Sequence, residues 1–351
     1  MIAQDEILKV EKIGFDAKKY AAEQKAAILK RISKFSGGKL YLEVGGKFLF
    51  DAHAARVLPG FDPAAKRKIF ADLTENLEIV FCVSFRDLLK NRQLSNRNES
   101  YANAVLKMIF AISEEIKKPK IVINFCEPEK KAAVEHFINH LKENDFEVFR
   151  RFAIENYPHN LKMILSRDGF GRDDFIQTEK NLVLVTGAAS NSGKMSTCLG
   201  QIYRDHEKKI LSGYAKFETF PIWNLPIDHP VNLAYEAATA DIGDFNCLDP
   251  FSKTPAVNYN RDVDAFKIVM RVARQFLPPE NEMRKYQSPT EMGINCAGFA
   301  IVDDEICQKA AIEEIKRRRK WYAEIVQNGF GDEKWLKKCD ELLKKANAFQ
   351  K

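Results

Sequence analysis

The sequence predicts an α/β protein built on doubly wound, mostly parallel β-sheets. Short apolar runs alternate with helical patterns through the first half of the chain, as is typical of parallel βαβ units. A P-loop-like strand–loop–helix unit follows at 182–206, where an all-apolar run meets a glycine-rich loop. From 303 onward the pattern is helical and strongly charged, and no further strand is expected.

The first half supplies three consecutive strand–helix steps. The runs 39–44 and 47–50 flank Gly45-Gly46 and predict a β-hairpin. Strands are then expected at 78–84, 120–125 and 146–150, and helices near 63–75, 100–117 and 128–144. This alternation favours a doubly wound sheet.

The second half adds strands at 182–186 and 210–217, and helices near 193–206, 231–240 and 263–276. A boundary is predicted within 167–180, a charged stretch that has two glycines and no periodicity. We therefore expect an N-terminal α/β domain over 1–175, a P-loop-like α/β domain with long polar loops over 176–302, and a helical C-terminal segment over 303–351.

Composition favours a soluble protein of the cytoplasm. Lys plus Arg exceed Asp plus Glu by only 55 to 49, and the basic residues are scattered along the chain, which argues against nucleic acid as a partner. The densest basic run, 316–320, is expected to be a solvated helix face. The N-terminus lacks an apolar signal core, and no stretch approaches the ~20 apolar residues that span a bilayer, so no membrane partner is expected. Seven cysteines without CxxC spacing argue against disulfides and a structural zinc site.

The segment LVLVTGAASNSGKMSTCLGQ has the strand–loop–helix order that a phosphate-binding loop requires. Backbone N–H groups and the positive end of the helix would face the anion, while Lys194 supplies a full charge. The residues expected to bind the phosphate groups of a nucleotide, with ATP as the candidate, are Gly187, Ser190, Asn191, Ser192, Gly193, Lys194, Met195 and Ser196. The alternative is a glycine turn that merely joins strand to helix.

Two departures from the GxxxxGK[ST] pattern bear on the cofactor. Gly187 and Gly193 enclose five residues instead of four, which is similar to the variant loop of dethiobiotin synthetase, where the nucleotide is ATP. In that enzyme a lysine also ends the next strand, and Lys216 stands at that place here. Met195 occupies the position of the hydroxyl that binds Mg²⁺; either Ser196 or Thr197 supplies the oxygen instead, or the metal is absent.

The candidate catalytic residues, all downstream of this loop, are Lys216, Glu218, Glu236 and Asp241. Lys216 would neutralise a phosphate or a substrate carboxylate, and Glu218 or Glu236 would act as a base or hold a metal. Asn232, Glu236 and Thr239 share one face of a predicted helix, which either meets solvent or lines a polar cleft. A salt-bridged surface helix is the alternative.

The candidate substrate-binding residues are Asp51, His53 and Arg56 after a strand, Asn232 on the helix just described, and Asn260 and Arg261 in VNYNRD. The cluster that begins at Asp51 would form the second half of a cleft at the carboxyl end of the sheet. Arg261 can grip phosphate or carboxylate bidentately. Asp262 is expected to cap the following helix, and Ser288 or Thr290 to be an N-cap.

Several longer segments carry a resemblance to a known family. They are KLYLEVGGKFLFDAHAARVLPGF, VTGAASNSGKMSTCLGQIY, GYAKFETFPIWNLPIDHPVNLAYEAATAD, VNYNRD, YQSPTEMGIN and AGFAIVDDE. With these motifs the chain resembles the bacterial domain-of-unknown-function family 1846 over almost all of residues 1–335. The resemblance implies the same α/β fold but no assigned reaction, and it implies that family members continue into a further C-terminal α/β domain.

Three functions are open at this point. The leading hypothesis is an ATP-dependent phosphoryl-transfer or ligase-type enzyme, in which Gly193 and Lys194 hold the β- and γ-phosphates and Lys216 stabilises charge on the transferred or accepting group. The alternatives are a nucleotide- or metabolite-sensing module without turnover, and an enzyme that acts on a phosphorylated metabolite. In each case the partner is a small-molecule phosphate, and a homo-oligomer stays open.

Overall fold

A computed structural model describes residues 12–45, 47–94 and 99–350. Its strands are β1 (Lys39–Val44), β2 (Leu77–Ser84), β3 (Gln93–Leu94), β4 (Glu99–Ser100), β5 (Lys120–Cys126), β6 (Val148–Phe152), β7 (Leu182–Thr186), β8 (Ser212–Phe217), β9 (Asn246–Leu248), β10 (Val257–Tyr259) and β11 (Gly293–Ile294). Its α-helices are α1 (Ala17–Ser33), α2 (Ala52–Val57), α3 (Ala65–Ala71), α4 (Phe85–Leu89), α5 (Tyr101–Glu115), α6 (Glu135–Glu143), α7 (Leu161–Ile164), α8 (Lys194–Glu207), α9 (Pro230–Ala238), α10 (Asn260–Phe276), α11 (Pro289–Met292), α12 (Asp304–Gln327) and α13 (Glu333–Phe349).

Seven strands form one parallel sheet in the order β11-β8-β1-β7-β2-β5-β6, which confirms the predicted α/β class. The hairpin predicted around Gly45-Gly46 is wrong. β1 lies between β7 and β8 and pairs in parallel with both, and residues 47–50 form no strand. Because both edges of a central strand already carry hydrogen bonds, β1 has no edge left for an antiparallel partner.

Strands from both sides of the predicted domain boundary share this sheet. β1, which comes from the first predicted domain, lies between β7 and β8, which come from the second. The stretch 167–180 therefore does not separate two sheets. The predicted helical C-terminal segment is confirmed as α12 and α13, which pack against α9, while α12 also packs against α2.

The connections leave the centre of the sheet in two directions. The path β1–β2–β5–β6 moves toward one edge, and the path β7–β8–β11 moves toward the other. Crossovers between parallel strands are right-handed, so the helices of the two paths cover opposite faces. Accordingly α1 packs against α3, and α8 packs against α10. The direction reverses between β1 and β7, and ligand sites in open α/β sheets lie at such a point, outside the carboxyl ends of the strands.

A buried carboxylate joins α12 to the rest of the protein. Glu314 accepts hydrogen bonds from His53 Nδ1 at 3.0 Å, Arg56 Nε at 2.8 Å and Arg317 Nε at 2.6 Å. Arg318 Nε is a further donor at 3.3 Å, and its side chain is buried. The expectation of a solvated face at 316–320 is therefore wrong for two of its arginines, because they turn toward this carboxylate.

Two further features concern the apolar length of the helices and the state of the cysteines. In the ranges that the structure describes, none of the helices combines the length and the apolar character needed to cross a bilayer. All seven cysteines are free thiols.

Candidate functional site

The 187–193 loop joins β7 to α8 at the point where the sheet reverses its winding direction. Gly193 is the N-cap of α8, with a φ of 88°, and the helix begins without a side-chain cap. A Cβ atom on Gly193 would lie 2.7 Å from Cγ of Asn124, which is too close for any residue other than glycine. Both the left-handed backbone and this close approach therefore require glycine here.

The backbone amides of this loop find no acceptor among the described residues. Over the described residues, no oxygen accepts a hydrogen bond from the N–H groups of 187–196, and the first engaged amide is that of Thr197, which donates to the Gly193 carbonyl at 2.8 Å. The first N–H groups of a helix lack intrahelical partners, and the helix dipole adds positive charge at the same end. This arrangement suits an anion.

The side chain of Lys194 lies over the same loop. The residue is only 9% exposed, and its Nζ donates to the Ala189 carbonyl at 3.3 Å. Within the part of the chain that the structure describes, no carboxylate lies within ion-pairing distance of this ammonium. The described carboxylates therefore leave its charge unpaired.

Three side chains outside the loop hold it from behind. Asn124 Nδ2 donates to the Ser192 carbonyl at 2.8 Å, and Thr197 Oγ1 donates to Asn124 Oδ1 at 3.1 Å. Arg151 donates to Thr197 Oγ1 at 3.1 Å and to Asp173 at 2.8 Å. Sequence reasoning missed Asn124 and Arg151. The available signal was a polar residue near the carboxyl end of each strand, in KIVINFC for Asn124 and in VFRRF for Arg151.

These contacts affect Ser196 and Thr197, the two hydroxyls that were expected to supply a Mg²⁺-binding oxygen in place of Met195. Thr197 Oγ1 lies 3.1 Å from Asn124 Oδ1 and 3.0 Å from the Gly193 carbonyl oxygen, so its single proton is taken by one of these two acceptors. Ser196 is partly exposed, and its closest described partner is Arg151 at 3.4 Å. Of the two hydroxyls, that of Ser196 is the more available to a ligand.

A second charged group lies two strands away on the same face of the sheet. Lys216 of β8 pairs in register with Glu43 of β1, which in turn pairs with Val185 of β7. Neighbouring strands are about 4.8 Å apart, so the Cα atoms of Lys216 and Val185 are separated by roughly 10 Å. Lys216 Nζ lies 3.0 Å from Glu218 Oε1 and forms an ion pair with Asp262.

The structure corrects the role expected of Asp262. The N-cap of α10 is Tyr259, whereas Asp262 lies in the first turn and its carboxylate binds the ammonium of Lys216. By contrast Ser288 is an N-cap, as predicted, because its side chain accepts from the amide of Glu291. Glu43, which sequence reasoning missed, accepts a hydrogen bond from the Tyr214 hydroxyl at 2.8 Å.

The group around Lys216 carries a surplus of negative charge. Burial alone would lower the pKa of Lys216, but the carboxylates of Asp262, Glu218 and Glu43 raise it well above its usual range. Burial also raises the pKa of Glu218 to about 8; repulsion from Asp262 adds to the rise, and attraction to Lys216 opposes it. Lys216 is thus a permanent cation held by carboxylates, and Glu218 binds a proton near neutral pH.

This shift predicts a pH dependence of stability. A carboxyl whose pKa is raised by folding stabilises the folded state while it is protonated, and that contribution is lost as the pH rises through the folded-state value. The free energy of unfolding of the wild type should therefore fall, relative to Glu218→Gln, between pH 4.5 and about pH 8. Urea unfolding of both proteins at intervals across that range measures the difference. A constant difference would contradict the assignment.

The comparisons with known proteins establish the family. Residues 13–347 match the family model described as domain of unknown function DUF1846, N-terminal. The chain belongs to the DUF1846 family. This membership confirms the resemblance found in the sequence motifs.

Relatives in the DUF1846 family are longer than this chain. A UPF0371 protein of Streptococcus equi subsp. equi is 44% identical over 315 residues, which cover 88% of this chain and 62% of the relative. A UPF0371 protein of Corynebacterium efficiens is 44% identical over 310 residues, 87% of this chain and 61% of the relative. A UPF0371 protein of Clostridioides difficile is 42% identical over 312 residues, which cover 88% of this chain and 61% of the relative. The chain thus spans about three fifths of the length of these relatives, 62% of the first and 61% of the second.

In this DUF1846 chain, Asn232 and Glu236 on the polar face of α9 are buried inside the protein. Asn232 is fully buried and exchanges hydrogen bonds with the backbone of Ile222 at 2.8 and 3.1 Å. Glu236 accepts from the Asn246 amide at 2.9 Å and pairs with Lys338 of α13 at 2.6 Å. The expectation that this face meets solvent or lines a cleft is wrong, because loops and α13 cover it.

Asp241, a further candidate catalytic residue, accepts a hydrogen bond from the Tyr322 hydroxyl at 3.1 Å.

The residues expected near Asp51 are engaged inside the protein. Asp51 caps α2 through the Ala54 amide at 3.1 Å and pairs with Lys66 at 2.7 Å. His53 and Arg56 face Glu314, and burial lowers the pKa of His53 to about 3, so its ring is neutral. The structure does not bring these side chains to the 187–193 loop.

The two residues expected from VNYNRD also have partners. Asn260 Oδ1 accepts from the Phe245 amide at 3.0 Å, and Arg261 forms a bidentate ion pair with Asp244. Both lie at the start of α10, next to Asp262. Of the residues expected at the site, the structure therefore places two sets near the reversal point of the sheet. They are the 187–193 loop with Lys194, and the group around Lys216 two strands away.

Proposed function

We propose that this chain binds the phosphate groups of a nucleotide at the 187–193 loop, with ATP as the leading candidate. The observation that carries the proposal is the row of backbone amides without acceptors beside the Lys194 ammonium, which has no carboxylate partner among the described residues. A hydrogen bond to a charged group contributes about 1.5–3 kcal/mol, so three or four converging donors provide useful affinity.

We further propose that the bound ATP supports phosphoryl transfer or ligation. The reacting side would be the group around Lys216, because Glu218 has a perturbed pKa at the carboxyl end of the sheet, and such groups concentrate at functional sites. Since Lys216 is held by Glu218 and Asp262, its proposed role is to position Glu218 rather than to neutralise phosphate. Glu218 would exchange a proton with the accepting group.

A magnesium ion that accompanies ATP would depend little on protein ligands. Among the described residues, no three His, Cys, Asp or Glu side chains are grouped to hold a metal. Mg²⁺ commonly retains several waters and takes other oxygens from phosphate. Ser196 is the hydroxyl that could add a protein ligand.

Titration with a fluorescent ATP analogue tests the binding proposal. Lys194→Ala should weaken binding about 10- to 100-fold, because one charge-assisted contact is lost. The matched control is Lys208→Ala, which removes an exposed lysine at the opposite end of α8 and should leave the affinity unchanged. Equal binding by the wild type and both variants would contradict a phosphate site at the loop.

Two further measurements separate the reaction from the alternatives. A sensor should bind ATP but release no phosphate or ADP when Mg²⁺ and cell metabolites are added. An enzyme acting on a phosphorylated metabolite should show a larger rise in melting temperature with sugar phosphates than with nucleotides, because a ligand stabilises the state it binds. Stabilisation by ATP with turnover is the outcome expected here.

A further inference from the structure

A cavity of about 280 Å³ lies at the carboxyl edge of the sheet, between the ends of β5 and β6 and the start of α6. Its apolar lining consists of Phe85, Cys126, Val134, Ile138 and Phe152. Pockets for small molecules begin at about 300 Å³ and are mostly apolar, with a few polar groups at fixed places. The cavity therefore has the size for a single ring system rather than for a whole nucleotide.

Charged side chains complete the lining of this cavity. The guanidinium of Arg172 lies over the Phe152 ring, 4.3 Å from its centroid. Arg150 donates to Glu135 at 2.8 Å, so this pair neutralises itself. Aromatic rings and arginine guanidinium planes are the surfaces on which proteins stack nucleobases. The Phe152–Arg172 pair offers such a surface beside an apolar space.

The cavity lies close to the 187–193 loop. A Cβ atom on Gly193 would lie 2.7 Å from Cγ of Asn124, so the loop and the end of β5 are in contact. Cys126 follows Asn124 by two residues, and a strand rises about 3.3 Å per residue, which puts it roughly 7 Å farther along the strand. The pairing of β2 with β5 also places Phe85 one residue beyond the partner of Asn124.

β6 links the cavity to the first turn of α8 as well. Arg151 donates to Thr197 Oγ1 at 3.1 Å and to Asp173 at 2.8 Å. The same carboxylate accepts from the Phe152 amide at 2.8 Å, which holds the neighbouring Arg172 over the Phe152 ring. Successive side chains of a strand point to opposite faces, so Arg151 turns toward α8 and Phe152 toward the cavity. A ligand that occupies both places therefore passes over the carboxyl end of the sheet.

We propose that this cavity holds the base of the nucleotide whose phosphates bind at the 187–193 loop, with the base stacked against Phe152 and Arg172. The inference rests on the proposed function. An uncharged planar base suits the apolar lining, while the phosphates suit the free amides and Lys194. The ribose would then lie above the ends of β2 and β5, outside the carboxyl edge where open α/β sheets bind their ligands.

Calorimetric titration with ATP and with inorganic tripolyphosphate, which lacks the base, tests this inference. The wild type should bind ATP more tightly than tripolyphosphate. Arg172→Ala removes an exposed side chain from the stack and should weaken ATP binding about fivefold or more, as is typical for losing the stacking of one base. Its affinity for tripolyphosphate should stay that of the wild type.

A second variant and a control accompany this measurement. Val134→Phe places a ring in the cavity and should lower the affinity for ATP toward that for tripolyphosphate. The matched control is Lys208→Ala, which removes another cation that lies over a ring, that of Phe175, outside the cavity lining. This control should bind both probes like the wild type, whereas Lys194→Ala should bind both more weakly.

The outcomes distinguish this inference from the proposed function. Equal affinity of the wild type for ATP and tripolyphosphate, or wild-type affinity for ATP in either cavity variant, would overturn the base site and leave the phosphate site standing. A loss by Arg172→Ala that is equal for the two probes would assign its effect to the loop and would also overturn the inference. If the wild type binds neither probe, the proposed function and this inference fall together.

Discussion

Replacement of Glu314 by glutamine is expected to lower the free energy of unfolding by about 3–5 kcal/mol, which is typical when one partner of a buried ion pair is removed. Glu314 is 2% exposed and accepts from His53, Arg56 and Arg317. A glutamine would keep one acceptor oxygen and turn an NH₂ group toward guanidinium donors. Chemical denaturation of wild type and variant at neutral pH measures the loss.

The neighbouring glutamate provides the control for this prediction. Glu313 is exposed and pairs with Lys316 on the helix surface, so Glu313→Gln should change stability by no more than about 0.5 kcal/mol. The cationic partners also hold the pKa of Glu314 well below its usual range, against the effect of burial. Its contribution is therefore complete above the unfolded value of 4.5 and is lost only as the pH falls toward the depressed folded value. Similar stabilities for the two variants would refute the buried network.

Gly193→Ala should abolish most of the nucleotide affinity, by about 100-fold or more, since at least two charge-assisted hydrogen bonds would be misplaced. The added methyl group would meet the side chain of Asn124 at 2.7–2.9 Å while the backbone keeps a φ of 88°. The loop must shift to relieve this contact, and its amides then no longer converge. Titration with the fluorescent ATP analogue measures the loss.

A second glycine separates local strain from the effect on the site. Gly243 also has a positive φ, of 75°, but an added Cβ would meet no atom within 4 Å. Gly243→Ala therefore carries a backbone cost of roughly 1–2 kcal/mol in stability and should bind ATP like the wild type. If both alanine variants bind equally well, the close packing of Gly193 on Asn124 has no role in ligand binding.

Local features of the sequence determined the unit formed by β7, the 187–193 loop and α8. Its residues are contiguous, so glycine positions, apolar runs and the start of a helix specify the geometry without knowledge of distant partners. The same reasoning located most helices and parallel strands, because hydrophobic periodicity depends on neighbours along the chain. Ser288 as an N-cap is a further case in which three adjacent residues suffice.

Only the tertiary structure decided which polar side chains meet. The sequence marks Lys216 as a candidate cation for phosphate, but its partner Asp262 lies 46 positions away and arrives through the packing of α10 on α8. The prediction of a hairpin after β1 was wrong for the same reason, because the strands that pair with β1 are β7 and β8, which follow more than a hundred residues later. Hydrogen-bond and ion-pair partners depend on long-range packing, which periodicity along one segment does not encode. The sequence therefore identified the loop and its lysine, whereas the fold alone determined that Lys194 lacks a carboxylate partner in the described chain and that Lys216 has two.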